Sequence, residues 1–517
     1  MLLFTILFPM LMGVCISVAP MTRRNRLAFY AVTMILTDAL GVSCMLRGTP
    51  LQLFPMAGTI YFSFALDPVG RVFLSVVLFV YTLVCFYAFE YMSAEEREEA
   101  FFAFYFLSLG GVISTCMAGN LVTLYFCFEL STLSSVPLVL HEGAKEAISA
   151  ALQYLFYSIG GAFLGLLAVV CLCWYATDAN QFLPGGFLDM GRVAGHETLL
   201  LAVTFCGIVG FGAKAGMYPL HGWLPAAHPI APAPASALLS GIIAKLGVLA
   251  VIRLVYFSAG PAFLRETWVQ YAWMCLAMGT IFMGSMMAFR EKVMKKRLAY
   301  SSISQISYIM LGLSLLNVGG LTGGLLHFAA HAVSKGTLFL CAGVFIYKLG
   351  RREASQLRGA GKLMPVTMWC FLIASLSLVG IPPMGGFTSK WYLAVASVGD
   401  GLGVFAILPP VILLISAFLT AGYLLPVAAD AFFPGQDFSW KTAFGDVPAV
   451  VKRIGRGNAA DAGRKSRKRK AVSLSGAAEP SALMTVPLIL LCAAALCVGL
   501  FGSWFAETLG DTIRGMM

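Results

Sequence analysis

Residues 199–236, LLLAVTFCGIVGFGAKAGMYPLHGWLPAAHPIAPAPAS, join an apolar segment to a run rich in proline. The apolar part has the length of a membrane-spanning helix, which takes roughly 20 residues. Lys214 lies inside this part, and five prolines follow between Pro219 and Pro234. Because proline kinks or ends a helix, the pattern predicts a membrane span that is broken beside a buried charge.

A second segment, residues 376–393 or LSLVGIPPMGGFTSKWYL, has the same features, with prolines and glycines ahead of Lys390. Exposed backbone at membrane depth is tolerated only where protein or a water-filled cavity satisfies it, and broken helices mark ion paths in transporters. A packing kink at proline explains either break alone, but a lysine beside both breaks favours a transport path. The predicted break positions are Pro219, Pro225, Pro382, Pro383, Gly385 and Gly386.

The composition of the whole chain excludes a soluble protein. Of its 517 residues, 59% are hydrophobic and 11% are charged, whereas soluble proteins carry about 25% charged residues. The mean hydropathy is +0.85, and no room remains for a large catalytic domain outside the membrane. The 13 cysteines form no CxxC pair, so neither a disulfide framework nor an iron–sulfur site is indicated.

Apolar runs predict an all-α integral membrane protein with about fourteen spans. The first run is followed, not preceded, by Arg23, Arg24 and Arg26, which favours a span over a signal peptide. Of the Lys and Arg residues outside the spans, 25 fall in odd-numbered connections and four in even-numbered ones or the carboxyl terminus. The positive-inside rule therefore predicts that both termini are outside. The predicted spans are 1–20, 29–47, 68–90, 101–118, 121–140, 147–175, 199–218, 236–258, 269–289, 298–316, 321–347, 365–397, 403–429 and 483–503.

Spans 4–8 and 9–13 form two units of five helices, with a break in the fourth helix of each unit. Because five is odd, equivalent helices must cross in opposite directions, which predicts an inverted repeat. The predicted divisions are 1–100 with three helices, 101–258 and 269–429 as two half-channels, 434–482 as a basic cytoplasmic loop, and 483–517 as the last helix and tail.

The predicted loop 434–482 contains the basic run KSRKRK at 465–470 and contributes to a formal net charge of +11. A solvated loop that obeys the positive-inside rule explains this charge, and contact with anionic lipid or an acidic subunit is the alternative. No aromatic residue is interleaved with the run, so nucleic-acid binding gains no support.

Ionisable residues inside the spans are functional candidates, because a charge at the bilayer centre costs roughly 2.5–3.5 kcal/mol. Arg71 and Arg253 lie near span ends, where their charged groups are expected to reach the interface. The sequence assigns no role to Asp38. The candidates are Asp38, Glu129, Lys214, Lys245, His327, His331, Lys335 and Lys390.

His327, His331 and Lys335 follow one another at intervals of four residues, so they share one face of a helix. Two histidines at this spacing can bind a metal ion, but no carboxylate accompanies them in this span and the lysine repels a cation. A proton relay is the favoured interpretation, with interhelical hydrogen bonding as the alternative. The sequence predicts no metal site.

Residues 214–247, 327–340 and 376–393 together resemble the antiporter-like family of membrane subunits. This family comprises proton-pumping subunits of respiratory complex I, large subunits of Mrp-type cation/proton antiporters, and subunits of membrane-bound hydrogenases and formate hydrogenlyase. The resemblance implies a Glu129–Lys214 pair, a central lysine at Lys245, a relay and a terminal lysine at Lys390. The implied relay residues are His327, His331 and Lys335.

The resemblance also implies a translocating subunit in a multisubunit complex of a prokaryotic cytoplasmic membrane. Such a subunit moves protons, contacts other membrane subunits and lipid, and carries no cofactor or redox site of its own. Its complex would be an NADH, ferredoxin or quinone oxidoreductase, or a hydrogenase. The alternatives are an Mrp-type Na⁺/H⁺ antiporter subunit, a membrane scaffold that has lost transport, and a free-standing membrane enzyme that uses the histidines.

Overall fold

A computed structural model describes residues 1–18, 20–58, 60–435, 479–515 and 517. Most of the predicted basic loop 434–482, with its KSRKRK run, lies outside these residues. The described part is a bundle of helices with one two-stranded sheet. In its first half the helices are α1 (Leu2–Val18), α2 (Arg23–Arg47), α3 (Pro68–Tyr91), α4 (Glu98–Cys116), α5 (Leu121–Val139), α6 (Lys145–Trp174), α7 (Met190–Val193), α8 (Glu197–Ala215), α9 (Trp223–Ile230), α10 (Ala233–Leu238), α11 (Lys245–Leu254) and α12 (Pro261–Leu264).

The second half continues with long helices that pack around one central helix, α15. Its elements are α13 (Trp268–Arg290), α14 (Met294–Ser314), α15 (Val318–Leu349), α16 (Ala360–Leu363), α17 (Pro365–Val379), α18 (Gly385–Val398), α19 (Val404–Phe432), α20 (Ala482–Leu500) and α21 (Gly502–Arg514). Most residues of α15 are buried, because α14, α17, α18 and α20 all pack against it.

Eleven helices in the described ranges are long and apolar enough to cross a membrane, so the chain is a multi-pass helical membrane protein. Helices also occupy the predicted spans 1–20, 298–316 and 365–397, but they are shorter or more polar. The first of these is the 17-residue α1, and α14 begins with basic residues. The third is divided into α17 and α18. The count of fourteen spans stays a prediction.

A β-hairpin that the all-α prediction missed follows α2. Strand β1 (Leu51–Ala57) pairs antiparallel with β2 (Ile60–Phe64) across a turn at Gly58, which has a φ of 57°. The hairpin is tied to the start of α5, because Asn120 donates to the Tyr61 carbonyl at 2.7 Å. Ser63 N donates to Thr123 Oγ1 at 3.0 Å. The strands are too short for a span, so a search for spans passes over them.

The structure breaks the helices at both segments singled out above. Helix α8 ends before Gly216, which has a φ of 81°, and α9 begins only at Trp223. Helix α17 ends before Gly380, which has a φ of 89°, and α18 begins at Gly385. Pro219 lies in the first gap, whereas Pro225 lies inside α9. Pro382 and Pro383 lie in the second gap, and Gly385 and Gly386 are the first residues of α18.

A further irregularity, not predicted, lies between α10 and α11. Residues Leu239–Ile243 form a π-helical turn immediately ahead of Lys245, and a second π turn covers Val255–Ala259. Short π segments in helices are often found at functional sites. The whole stretch Ala233–Ala259 is buried inside the bundle, so the carbonyl groups freed by these turns need partners within the protein.

Arg253, which the sequence predicts to reach the membrane interface, is buried in the protein against the start of α3. Its side chain is 1% exposed and forms a two-point ion pair with Asp67, with Nη2 2.7 Å from Oδ1. The guanidinium carbon lies 4.8 Å from the centre of the Phe182 ring and 4.7 Å from that of Phe257. Asp67 also caps α3 by accepting from Gly70 N at 2.8 Å. Burial opposes ionisation of Asp67, but Arg253 outweighs burial and lowers the pKa of this carboxyl.

Asp67→Asn should lower stability by about 3 kcal/mol, because it leaves a buried guanidinium without its counterion. The melting temperature in detergent measures this loss, and the double variant Asp67→Asn with Arg253→Met should recover part of it. Asp511→Asn is the matched control, since Asp511 pairs with Arg514 at 3.7 Å where both side chains are more than 70% exposed. Equal losses in the two single variants would contradict a structural role for the Asp67–Arg253 pair.

Candidate functional site

Lys214 is buried at the end of α8, and α5 supplies its partners. Its Nζ donates to Thr132 Oγ1 at 2.7 Å, to Ser131 Oγ at 2.8 Å and to the Phe128 carbonyl at 3.2 Å. It also lies 4.1 Å from the centre of the Phe128 ring. Three acceptors match the three donors of an ammonium group, so this pocket is suited to hold a protonated lysine.

Glu129 is adjacent to Phe128 on α5 but does not bond to Lys214. No nitrogen–oxygen contact within 4 Å joins the two side chains, and Glu129 Oε1 is buried without a hydrogen-bond partner in the described residues. The two groups still interact electrostatically. The pairing that the family resemblance implies is therefore open in this conformation, with the ammonium held by hydroxyl groups instead.

Lys245 is held by the irregular turn that precedes it. Its Nζ donates to the Gly241 carbonyl at 2.8 Å and to the Ser240 carbonyl. In a regular α-helix these carbonyls accept from the backbone four residues later, but the π turn frees them. The local backbone thus provides negative partial charge for a lysine that is fully buried.

A line of hydrogen bonds connects the region of Lys245 to Lys335. Ser240 Oγ lies 2.6 Å from Ser302 Oγ on α14, and Ser302 donates to the Leu298 carbonyl at 2.9 Å. Lys335 on α15 donates to that same carbonyl at 3.1 Å. All three polar side chains in this line are buried. The structure thus brings together two lysines that are far apart in the sequence.

The two histidines continue this line along α15. His331 and His327 stack with ring centroids 5.9 Å apart, and His327 Nδ1 lies 2.9 Å from Ser389 Oγ on α18. Both nitrogens of His331 and Nε2 of His327 are buried without hydrogen-bond partners in the described residues. Along α15 towards Lys390 the order is Lys335, His331, His327, the reverse of their order in the sequence.

Lys390 closes the line at the second helix break. Its Nζ donates to the Leu378 carbonyl at 2.6 Å and to the Val379 carbonyl at 2.9 Å, the last carbonyls of α17. Tyr308 lies between this lysine and His327, with its ring centre 5.1 Å from Nζ and 5.1 Å from the imidazole centre. The ammonium therefore sits at the negative end of the α17 dipole, where a cation is favoured.

Within the described residues no group of three His, Cys, Asp or Glu side chains could hold a metal ion.

The sequence missed one further buried lysine, Lys295, which donates to the Ala231 carbonyl at 2.6 Å and is 5% exposed. Its position among Arg290, Lys292 and Arg297 is typical of a loop. The hydroxyl partners of the lysines were missed too, since serine and threonine inside spans are common and give no distinct signal.

Comparison with known proteins identifies the family. Residues 118–420, more than half of the chain, match the family described as NADH:quinone oxidoreductase/Mrp antiporter, TM. The chain belongs to this family. Residues 54–102 match a second description, NADH-Ubiquinone oxidoreductase (complex I), chain 5 N-terminus. The resemblance inferred from the three quoted segments is confirmed.

Relatives of the chain within the NADH:quinone oxidoreductase/Mrp antiporter family carry several names. It is 34% identical over 394 residues to NADH-quinone oxidoreductase subunit N of Desulforudis audaxviator, covering 75% of this chain and 76% of the relative. It is 31% identical to a Na(+)/H(+) antiporter subunit of Alkalihalophilus pseudofirmus, covering 61% and 63%. It is 33% identical to hydrogenase-4 component B of Escherichia coli, covering 62% of this chain but 49% of that longer relative.

Two solved structures show that the fold of this family member is shared over the full chain. A chain of the Mrp complex from Dietzia sp. DQ12-45-1b superposes with a TM-score of 0.80 at 23% identity, covering 99% of this chain and 97% of that one. A chain of respiratory complex I from Thermus thermophilus with bound NADH superposes with a TM-score of 0.77 at 21% identity, covering 100% of both. Both neighbours are subunits of multisubunit membrane complexes.

Gly386→Ala should destabilise the second break, because a Cβ at this position would overlap the Ser377 carbonyl of α17. We expect a loss of about 1–3 kcal/mol, the usual range for overpacking, and a lower melting temperature. Gly160→Ala is the matched control, since nothing lies within 4 Å of a Cβ at that helical position. A melting temperature that is unchanged in Gly386→Ala would contradict the close approach of α18 to α17.

Proposed function

We propose that this chain is an ion-translocating membrane subunit that moves protons along its buried line of lysines and histidines. The observation that carries the proposal is the row of buried groups from Lys245 through the Ser240–Ser302 hydroxyl pair to Lys335, held in place by the Ser240 and Leu298 carbonyls. Amines and hydroxyls exchange protons, whereas backbone carbonyls only accept hydrogen bonds, so in this relay the proton passes between the two lysines through the hydroxyl pair and water beside it. The family of the chain supports this function, because its relatives are named as oxidoreductase, hydrogenase and antiporter subunits.

The proposal includes the finer topology predicted from the sequence. In this topology the chain has fourteen spans across the cytoplasmic membrane of a prokaryote, with both termini on the outer side. Residues 101–258 and 269–429 form the two inverted units. Breaks after α8 and α17 support the repeat, because each lies in the fourth predicted span of its unit. In this arrangement each unit supplies a half-channel, and the line from Lys245 to Lys335 joins the two at mid-depth.

Proton movement in the first half would begin at Lys214. The ammonium has two candidate sets of partners, the hydroxyls of Ser131 and Thr132 that hold it in this structure and the carboxylate of Glu129 nearby. A carboxylate favours the charged form of a lysine, and burial disfavours it. When Lys214 turns away from Glu129, its proton is therefore released more easily towards Lys245.

In the second half the proton would pass from Lys335 along the histidines to Lys390. Neutral imidazole accepts a proton on one nitrogen and donates from the other, so stacked His331 and His327 suit a relay. Ser389 bonds His327 and is adjacent to Lys390 in sequence. From Lys390 the proton would leave through the break between α17 and α18.

Substitution of Glu129 and Lys390, which stand at the two ends of the proposed proton path, tests this function. In the native complex, purified through a tag on this chain and reconstituted in vesicles, Glu129→Gln and Lys390→Met should each lower proton translocation at least about tenfold. The matched controls are Glu146→Gln and Lys145→Met, which remove exposed charges at the start of α6 and should leave the rate unchanged. Wild-type translocation in both end variants would refute the proposal and favour a scaffold.

A Na⁺/H⁺ exchange function is the second candidate, favoured by the antiporter relative and by the Mrp fold match. The same vesicles distinguish the two functions. Proton pumping driven by a redox reaction should proceed in Na⁺-free buffer, whereas exchange should require a Na⁺ gradient and no electron donor. Proton movement that stops without Na⁺ would replace the first candidate with the second.

A further inference from the structure

Asp38 is a membrane-embedded carboxyl group that the line of lysines and histidines does not use. It lies in the middle of the 25-residue helix α2, where Oδ2 accepts from Thr82 Oγ1 of α3 at 2.6 Å. Its other oxygen, Oδ1, is buried without a hydrogen-bond partner in the described residues. An asparagine would accept the same bond from Thr82 without the cost of placing an acidic group at membrane depth.

Hydroxyl groups on α3 and α4 continue inward from Thr82. The neighbouring residue Tyr81 has its hydroxyl 3.4 Å from Ser108 Oγ on α4. The Tyr105 hydroxyl donates to the Tyr81 carbonyl. All three of Tyr81, Tyr105 and Ser108 are fully buried, so this polar row lies in the protein interior and not on the lipid face.

Helix packing carries the row from α4 to the Lys214 pocket. Gly111 of α4 packs against α5 so closely that a Cβ would lie 3.0 Å from the Ser131 Cα. Helices α4 and α5 are consecutive and antiparallel. Ser108 lies about one turn from Gly111 and Ser135 about one turn from Ser131, in the same direction along the bundle, so the two serines lie at the same depth. Ser135 Oγ is 2.8 Å from the Tyr154 hydroxyl, and Ser131 accepts from Lys214.

We propose that Asp38 is a second carboxylate that exchanges protons with Lys214, through the row of hydroxyls formed by Thr82, Tyr81, Ser108, Ser135 and Ser131. The inference rests on the translocation function proposed above and adds a lateral branch to it. Among the described residues no hydroxyl–hydroxyl hydrogen bond joins Thr82 to Tyr81, Ser108 to Ser135 or Ser135 to Ser131, because Ser108 and Ser135 donate to backbone carbonyls, so the proposed branch requires water at these three intervals. The ligand of the site is the proton itself.

The exchange is balanced in protons and charge. The Lys214 ammonium gives one proton to a hydroxyl oxygen, each hydroxyl passes on its own proton, and the Asp38 carboxylate receives the last one. The ion pair of ammonium and carboxylate becomes a neutral amine and a carboxylic acid. Each hydroxyl must then rotate before the next transfer, as Thr82 donates to Asp38 in this structure.

The surroundings of Asp38 contain no fixed counterion among the described residues. On α3 the groups facing it are Thr82 and Cys85, and on α4 it interacts electrostatically with Tyr105. Helix α1 also packs on α2, and its ionisable side chain is that of Cys15, which is exposed. A carboxyl in this setting is free to change its protonation state, unlike Asp67, which is tied to Arg253.

Proton translocation by the native complex in vesicles tests the branch. Asp38→Asn should lower the rate about tenfold, and Ser108→Ala or Tyr81→Phe should each lower it several-fold by interrupting the row without changing the helices. Asp38→Glu should restore part of the rate. Tyr30→Phe is the matched control, because the Tyr30 hydroxyl on α2 is buried and bonds to no described residue.

Infrared difference spectra of the turning-over complex add a readout that a structural role would not change. A carboxyl band that is lost in Asp38→Asn should appear during turnover and should be absent in Ser108→Ala. If no such band exists, or if it persists in Ser108→Ala, the branch is overturned.

Wild-type rates in Asp38→Asn together with a low rate in Glu129→Gln would overturn the branch alone. Wild-type rates in Glu129→Gln and Lys390→Met would overturn it together with the translocation function.

Discussion

The need to satisfy an ammonium group inside an apolar bundle shapes this molecule. A buried charge without partners costs several kcal/mol, and Lys214, Lys245 and Lys390 meet that cost with hydroxyl and backbone oxygens, not with a carboxylate. Neutral oxygens stabilise a proton on lysine without fixing it as strongly as an opposite charge would. The same contacts therefore stabilise the buried lysines and, in the proposed function, leave their protons free to move.

Irregular backbone supplies the oxygens for two of these lysines, Lys245 and Lys390. The π turn ahead of Lys245 frees the Gly241 carbonyl, and the early end of α17 leaves the Val379 carbonyl for Lys390. Regular helices would use these groups internally. Irregular backbone at membrane depth is thus part of the site, since each of these breaks is paired with a lysine that satisfies it.

Arginine is used differently from lysine in this chain. Arg253 forms an ion pair with Asp67 and lies against the rings of Phe182 and Phe257. A guanidinium stays charged under all ordinary conditions, whereas lysine changes its protonation state readily when buried. The arginine pair accordingly stabilises the fold near the start of α3, whereas the proposed function assigns the proton chemistry to the lysines.

By itself, the sequence determined that the chain is a helical membrane protein of the antiporter-like family and which charged residues lie inside it, apart from Lys295 and Arg253. Composition and the positions of proline were enough, because burial of Lys214 or Lys390 follows directly from the length of the surrounding apolar run. Tertiary structure alone decided what those residues touch. The Ser240–Ser302 link, the open Glu129–Lys214 pair and the burial of Arg253 all depend on helices that are distant in the chain. A serine or an arginine in an apolar run looks the same whether its partner is lipid headgroups, water or another helix, so only the packing of the bundle distinguishes these cases.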